Sequence, residues 1–188
     1  VYYHGNHIAV DLFHAVSDGY GNSRFVCTLA AEYLRLKGHD IPSGKFVKDI
    51  SEAAPDRELI DDFHKYATSK AKANITDKHV YHAKGTKLPN HMVNMTSGIM
   101  SFKEVHKLAK SKGVTVTEFF AALLMDIHCR KQLKESRRLK EVSVQIPINL
   151  RNIYPSKTMR NFSICLMVKV DPRYGEYTFD ALLQQVAL

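Results

Sequence analysis

The run Phe13-His14-Ala15-Val16-Ser17-Asp18-Gly19 holds the residue types best suited to chemistry in this 188-residue chain. An imidazole titrates near neutral pH, so His14 can take the proton of a hydroxyl as that hydroxyl attacks a carbonyl carbon. A carboxylate, Asp18, follows four residues on. Gly19 permits a sharp backbone turn. The residues alone leave plainer readings open. A histidine at a strand end commonly bonds a backbone carbonyl, and Asp18 ahead of Gly19 and Ser23 can simply cap a helix.

The flanking patterns indicate what must position these groups. His7 to Phe13 reads as a buried strand because apolar residues are dense and a turn-rich segment follows. A helix is expected over 23–37, with Val26, Leu29, Ala30, Tyr33 and Leu34 as its apolar stripe and Gly38 at its end. Residues 39–56 read as irregular. Asp56 is placed to cap a helix over 57–71. The polar stretch 72–91 contains Gly85 and Pro89, and a linker is expected over 76–91. A strand is expected over 91–99. Ser101 with Glu104, and Thr115 with Glu118, are capping-box patterns for two further helices. Strands are expected over 142–148 and 162–170, separated by a loop, and a helix from Thr178 onward. The class is therefore α/β or α+β. The domain division is 1–75, linker 76–91, and 92–188.

A second cluster lies downstream: Pro147-Ile148-Asn149-Leu150-Arg151, then Tyr154-Pro155-Ser156 and Met159-Arg160-Asn161-Phe162. A strand running to an arginine, a proline-containing loop, and Asn-Phe opening the next strand follow the His-x-x-x-Asp-Gly segment in chain order. Together the two clusters resemble the chloramphenicol acetyltransferase-like and condensation-domain superfamily, and most closely its bacterial alcohol acetyltransferase branch. Condensation domains carry two adjacent histidines, where this chain has Phe13 followed by His14.

The resemblance implies a mixed sheet flanked by helices and an incomplete version of a two-half fold, with 1–75 ending one half and 92–188 beginning the other. It implies His14 as general base, with Asp18, Gly19 and Arg151 supporting the site. Asp18 would turn from the substrate and pair with Arg151, in a bidentate geometry suited to a rigid brace. Asn161 and Ser163 are candidates for oxyanion or substrate contacts. The reaction implied is transfer of an acyl group, acetyl above all, from a CoA thioester to an alcohol. Acyl-CoA is then a co-substrate and no bound cofactor is expected. Family members are longer and place the active site where the halves meet. A start at Val1 and the lack of a DFGWG-type motif point to a fragment that is inactive by itself unless the rest of the fold, or a second copy, completes the site. Alternatives are a condensation-type enzyme using carrier-bound thioesters, or a non-catalytic module that keeps the fold.

Bulk properties narrow the field without deciding it. The formal net charge is +8, which is compatible with nucleic acid, an acidic membrane face or an anionic small molecule. The densest basic run, from Arg130 to Lys140, reads as a solvated helix end. No aromatic-interleaved binding motif accompanies it, so nucleic acid is not expected as a partner. No apolar run is long enough to span a bilayer. Cys27, Cys129 and Cys165 are widely spaced in apolar surroundings; they read as buried, unreactive core residues of a reducing cytoplasm. The His4/His7 and His79/His82 spacings lack a third ligand at metal-binding distance, so no metal is expected.

Overall fold

The computed structural model describes residues 1–67 and 79–187. The end of the helix expected over 57–71, and the early part of the polar stretch, lie outside those residues. The described elements mix both classes of secondary structure. Strands β1 (Tyr2–His4) and β2 (His7–Ala9) precede the long helix α1 (Gly19–Leu36) and the short helices α2 (Asp56–Leu59) and α3 (Phe63–Tyr66). Helices α4 (Phe102–Ser111) and α5 (Val116–Glu135) are followed by strands β3 (Val142–Asn149) and β4 (Ser163–Val170) and helix α6 (Phe179–Val186). The mixed α+β class is as expected, and among the described residues the strands form two two-stranded sheets, β1 with β2 and β3 with β4.

Two compact units are present: Val1–Lys72 with Pro147–Ile164, and Ala73–Ile146 with Cys165–Leu188. A division by chain order does not capture this grouping, because the segment 147–164 belongs with the first unit.

In the first unit, β1 and β2 form a hairpin in which Tyr2 faces Ala9 and His4 faces His7. Both strands are exposed throughout. The buried strand expected over 7–13 is therefore an exposed three-residue strand followed by chain without regular pairing, and Phe13 is itself exposed. Helix α1 starts four residues earlier than its apolar pattern indicates. Asp18 accepts hydrogen bonds from the Tyr20 and Gly21 N–H groups and so fixes the start at Gly19. Its covered face is also not the apolar stripe. Gly21 and Ala31 are buried on the face shared by Arg24, Thr28 and Arg35, while Val26, Tyr33 and Leu34 are exposed. Polar contacts explain the choice: Thr28 Oγ1 accepts the Lys48 N–H at 3.0 Å, and Arg35 Nε donates to the Ile41 carbonyl at 2.8 Å. The irregular segment 39–56 thus lies over this face.

The helix expected from Asp56 is two short turns. Pro55, not Asp56, stands at the start of α2, and no side chain caps it. Both turns are laced to 155–162. The Thr158 hydroxyl donates to the Ile60 carbonyl at 2.6 Å, the Ser156 hydroxyl to Asp62 at 2.5 Å, and the Met159 N–H to the Glu58 carbonyl at 2.8 Å. Phe162 is fully buried, with Phe63 edge-on at 5.6 Å and Tyr66 at 5.9 Å; Tyr66 also stacks on Tyr154.

The second unit is built around an apolar core. Ala121, Ala122, Met125 and Cys129 of α5 cluster with Val142, Ile146, Val170, Leu182, Leu183 and Val186. Thr115 and Glu118 complete the expected capping box, with the Glu118 carboxylate accepting the Thr115 N–H at 2.6 Å. Gln132 is fully buried and bonds both main-chain groups of Lys140, closing the turn after α5. No strand forms over 91–99: these residues lack regular pairing, Met92, Val93, Met95 and Ile99 are exposed, and His91 has φ +68°. The alternation there has no partner strand among the described residues. Cys129 is buried as expected, but Cys27 and Cys165 are exposed. No described helix is long and apolar enough to cross a membrane.

Candidate active site

His14, Asp18, Gly19, Arg151, Asn161 and Ser163 all fall in the first unit. The local fold explains how residues so far apart in sequence come together. β3 ends at Asn149, whose Oδ1 accepts the Arg151 N–H at 3.1 Å and so starts a tight 3-10 turn over 150–152. That turn aims Arg151 at the start of α1. Its Nη1 donates to Asp18 Oδ2 at 2.6 Å. Both side chains are almost fully buried, at 6% and 3% exposed.

The pair is one-pronged, not the bidentate arrangement expected. Arg151 spends its other donors on the chain around it: Nη1 also reaches Asn149 Oδ1 at 3.0 Å, Nε the Thr158 carbonyl at 3.0 Å, and Nη2 the Arg160 carbonyl at 2.7 Å. Its guanidinium also lies 4.7 Å from the Tyr20 ring centroid. Asp18 is equally occupied. Oδ1 takes the two helix-start N–H groups at 3.1 and 3.2 Å, and Oδ2 takes Arg151 and the Phe162 N–H at 2.8 Å. Burial pushes the Asp18 carboxyl up. The hydrogen bonds from Arg151, Phe162 and Gly21, with the Arg151 charge, outweigh that and hold it below the usual carboxylate range. A cap and a brace are thus one residue.

None of the four Asp18 hydrogen bonds goes to an imidazole. His14 sits in a turn closed by the Val16 N–H to the Phe13 carbonyl at 2.9 Å, and it is exposed. Its neighbour is Asn161. The Asn161 Nδ2 donates to the His14 carbonyl at 3.2 Å and lies 3.4 Å from His14 Nδ1. Ser163 Oγ donates to Asn161 Oδ1 at 3.0 Å. The two residues expected as oxyanion or substrate donors therefore hold each other and His14. A cavity of about 440 Å³ adjoins Asn161, its other lining residues being Ala15, Val16, Asp61, Phe63 and Arg160.

Gly19 does not do what its place in the motif implies. Its φ is outside the left-handed region, and a Cβ there would meet open space. The glycine the site requires is Gly21, where a Cβ would collide with Ser17 Oγ and the Met159 carbonyl. The Ser17 hydroxyl itself donates to that carbonyl at 2.6 Å. Gly21, Asn149, Thr158 and Phe162 were not singled out as site residues from the sequence. Only Asn149 carried a usable signal, as an Asx-type turn starter at a strand end.

Among the described residues no group of three His, Cys, Asp or Glu side chains could hold a metal ion. Burial, then the charge of Asp126, pushes the Cys129 thiol up, which makes it a poor nucleophile. The site is thus an exposed imidazole on a turn whose flank is pinned by a buried ion pair. No family model, curated protein or solved structure matches this chain.

Proposed function

We propose that this protein takes part in acyl transfer from a CoA thioester to a hydroxyl acceptor, with His14 as the general base, on a chloramphenicol acetyltransferase-like fold. The observation that carries this reading is the disposition of Asp18. Among the described residues its four side-chain hydrogen bonds go to the helix start, Phe162 and Arg151, so the carboxylate braces the turn and does not partner the imidazole. Among the described residues the exposed His14 imidazole has no carboxylate partner, which suits direct attack by a substrate hydroxyl. The hydroxyl proton moves to His14, its oxygen bonds to the thioester carbonyl carbon, the C–S bond breaks, and the thiolate recovers the proton. No acyl-enzyme forms, which agrees with the raised Cys129 thiol. The 440 Å³ cavity beside Asn161 is the proposed entry for one substrate.

Thiol release from acetyl-CoA, measured against a panel of alcohols, tests the reading. His14→Ala is expected to lower kcat by roughly 10²–10⁴-fold, the usual contribution of a positioned general base. Replacing Cys27, Cys129 and Cys165 together is expected to leave the transfer chemistry in place. Near-normal turnover of the His14→Ala variant, or an acyl group trapped on a cysteine, overturns the proposal. Transfer from a carrier-bound thioester and not from free CoA would move the protein to the condensation type.

A further inference from the structure

We infer that Asn161 is a positioning residue that couples the Asp18–Arg151 brace to the imidazole of His14 and restricts that ring to one neutral tautomer. The inference rests on His14 being the working group of the site, but its test does not require acyl transfer.

The main chain around Asn161 is clamped on both sides by the brace. On one side the Arg160 carbonyl accepts Arg151 Nη2 at 2.7 Å, and on the other the Phe162 N–H donates to Asp18 Oδ2 at 2.8 Å. Among the described residues Asn161 is the residue within this clamp whose side chain reaches His14. Its amide is itself oriented. Ser163 Oγ supplies a proton to Oδ1 at 3.0 Å, and the His14 carbonyl requires a donor at Nδ2, 3.2 Å away. Turning the amide over would set Oδ1 against a carbonyl oxygen, so the NH2 end faces His14. The same NH2 lies 3.4 Å from Nδ1.

Two restraints follow. The His14 carbonyl is fixed, and with it the turn that carries the ring. The Nδ1 edge is held against a fixed polar group, which makes the two ring nitrogens inequivalent. Because the NH2 end can only donate, Nδ1 accepts, so the neutral ring carries its proton on Nε2 and keeps on Nδ1 the lone pair that would take a hydroxyl proton. Asn161 is therefore occupied with His14 and is not a free donor for a thioester oxyanion.

The tautomer is read directly by 15N-resolved NMR of the histidine rings at alkaline pH, where imidazoles are neutral, with His14 assigned by comparison with His14→Gln. The Nε2–H tautomer is expected to dominate at His14, and Asn161→Ala is expected to relax it to the mixture of a solvated imidazole; dominance of the Nδ1–H tautomer in the unaltered protein would contradict a donor at Nδ1. Ser163→Ala removes only the hydroxyl that orients the amide. It is expected to shift the ring in the same direction by less, and it serves if Asn161→Ala does not fold. Asp18→Asn combined with Asn161→Ala is expected to change the tautomer balance by less than the sum of the single changes, because the brace acts through Asn161. A solvent-like mixture in the unaltered protein, or a His14 tautomer ratio unmoved by either Asn161→Ala or Ser163→Ala, overturns the inference. If the tautomer responds as expected but no thioester is consumed, the acyl-transfer reading fails while Asn161 keeps its role.

Discussion

Each of the two units of this chain is stabilised from within by a different kind of interaction. In the second, α5 and α6 close over aliphatic and thioether side chains, and the buried polar groups Glu118 and Gln132 each serve a local purpose, the cap of α5 and the turn after it. In the first, the buried set is rich in polar groups: Asp18, Glu58, Asp62 and Thr158 beside Ala31, Leu150 and Phe162. Its apolar surface lies largely outside, on Tyr2, Tyr3, Ile8, Phe13, Val26 and Tyr33. An apolar core tolerates exchanges that conserve volume, whereas a buried polar lattice fails when one partner is removed and the other is left without compensation. The candidate site stands on the second kind of support.

The sharpest way to break this contrast is Asp18→Ala or Arg151→Ala. Either leaves a buried charge unpaired, and Asp18→Ala also removes the α1 cap. Each is expected to cost about 3–5 kcal/mol, measured by chemical denaturation followed by circular dichroism. The double replacement is expected to cost less than the two singles together. The acid limb supplies a second check. Because the folded Asp18 carboxyl lies below its ordinary value, its stabilisation is fully present well above the unfolded value near 3.9. It is lost as pH falls through the lower folded value. The stability gap between the protein and its Asp18→Asn variant should therefore narrow on acidification below about pH 4. A gap independent of pH would remove the brace from the account.

The matching experiment in the other unit is Met125→Ala. Met125 is fully buried in the apolar cluster, so truncation is expected to cost about 2–5 kcal/mol. Met125→Leu is expected to cost less than about 1.5 kcal/mol. If Met125→Leu proved as damaging as Met125→Ala, the second unit would also depend on specific contacts, and the contrast would weaken.

How far the sequence could be read follows the same division. Capping signals and core periodicity were legible where local chemistry and packing agree: the Thr115–Glu118 box starts α5, the helix expected from Thr178 is α6, and β3 and β4 fall within a residue of their expected limits. Periodicity misled where no partner covers an apolar face. The stripe on α1 is exposed, the strand before His14 is short and exposed, and 91–99 is unpaired. A hydrophobic pattern records that a face suits burial, but contact decides whether it is buried, and polar contacts decided it for α1. Within the site, the types and order of His14, Asp18 and Arg151 were legible. The one-pronged pair and the engagement of Asn161 with His14 were not, because both depend on a turn that Asn149 sets more than a hundred residues downstream of His14.

The smallest expected effect separates the two glycines at the start of α1. By its place beside Asp18, Gly19 is the one a sequence argument protects, yet it is the first residue of the helix, with φ outside the left-handed region and open space where a Cβ would project. Alanine there restricts the unfolded chain and adds no clash, so Gly19→Ala is expected to be neutral or to stabilise by about 0.4–1 kcal/mol. Gly21 is two residues on and buried, beneath the Met159 carbonyl. A methyl at that position must displace Ser17 Oγ, which can rotate, and a backbone carbonyl, which cannot without moving 158–160. Those residues carry the Thr158 and Arg160 carbonyls that hold Arg151. Gly21→Ala is therefore expected to destabilise by about 1–3 kcal/mol, as overpacking does, and to loosen the brace at its arginine end. Amide exchange over 158–162 reads that loosening separately from stability. If the order of the two glycines were reversed, the turn between His14 and α1 would need Gly19 for its backbone, and the close approach of Met159 would not be what makes a glycine necessary here.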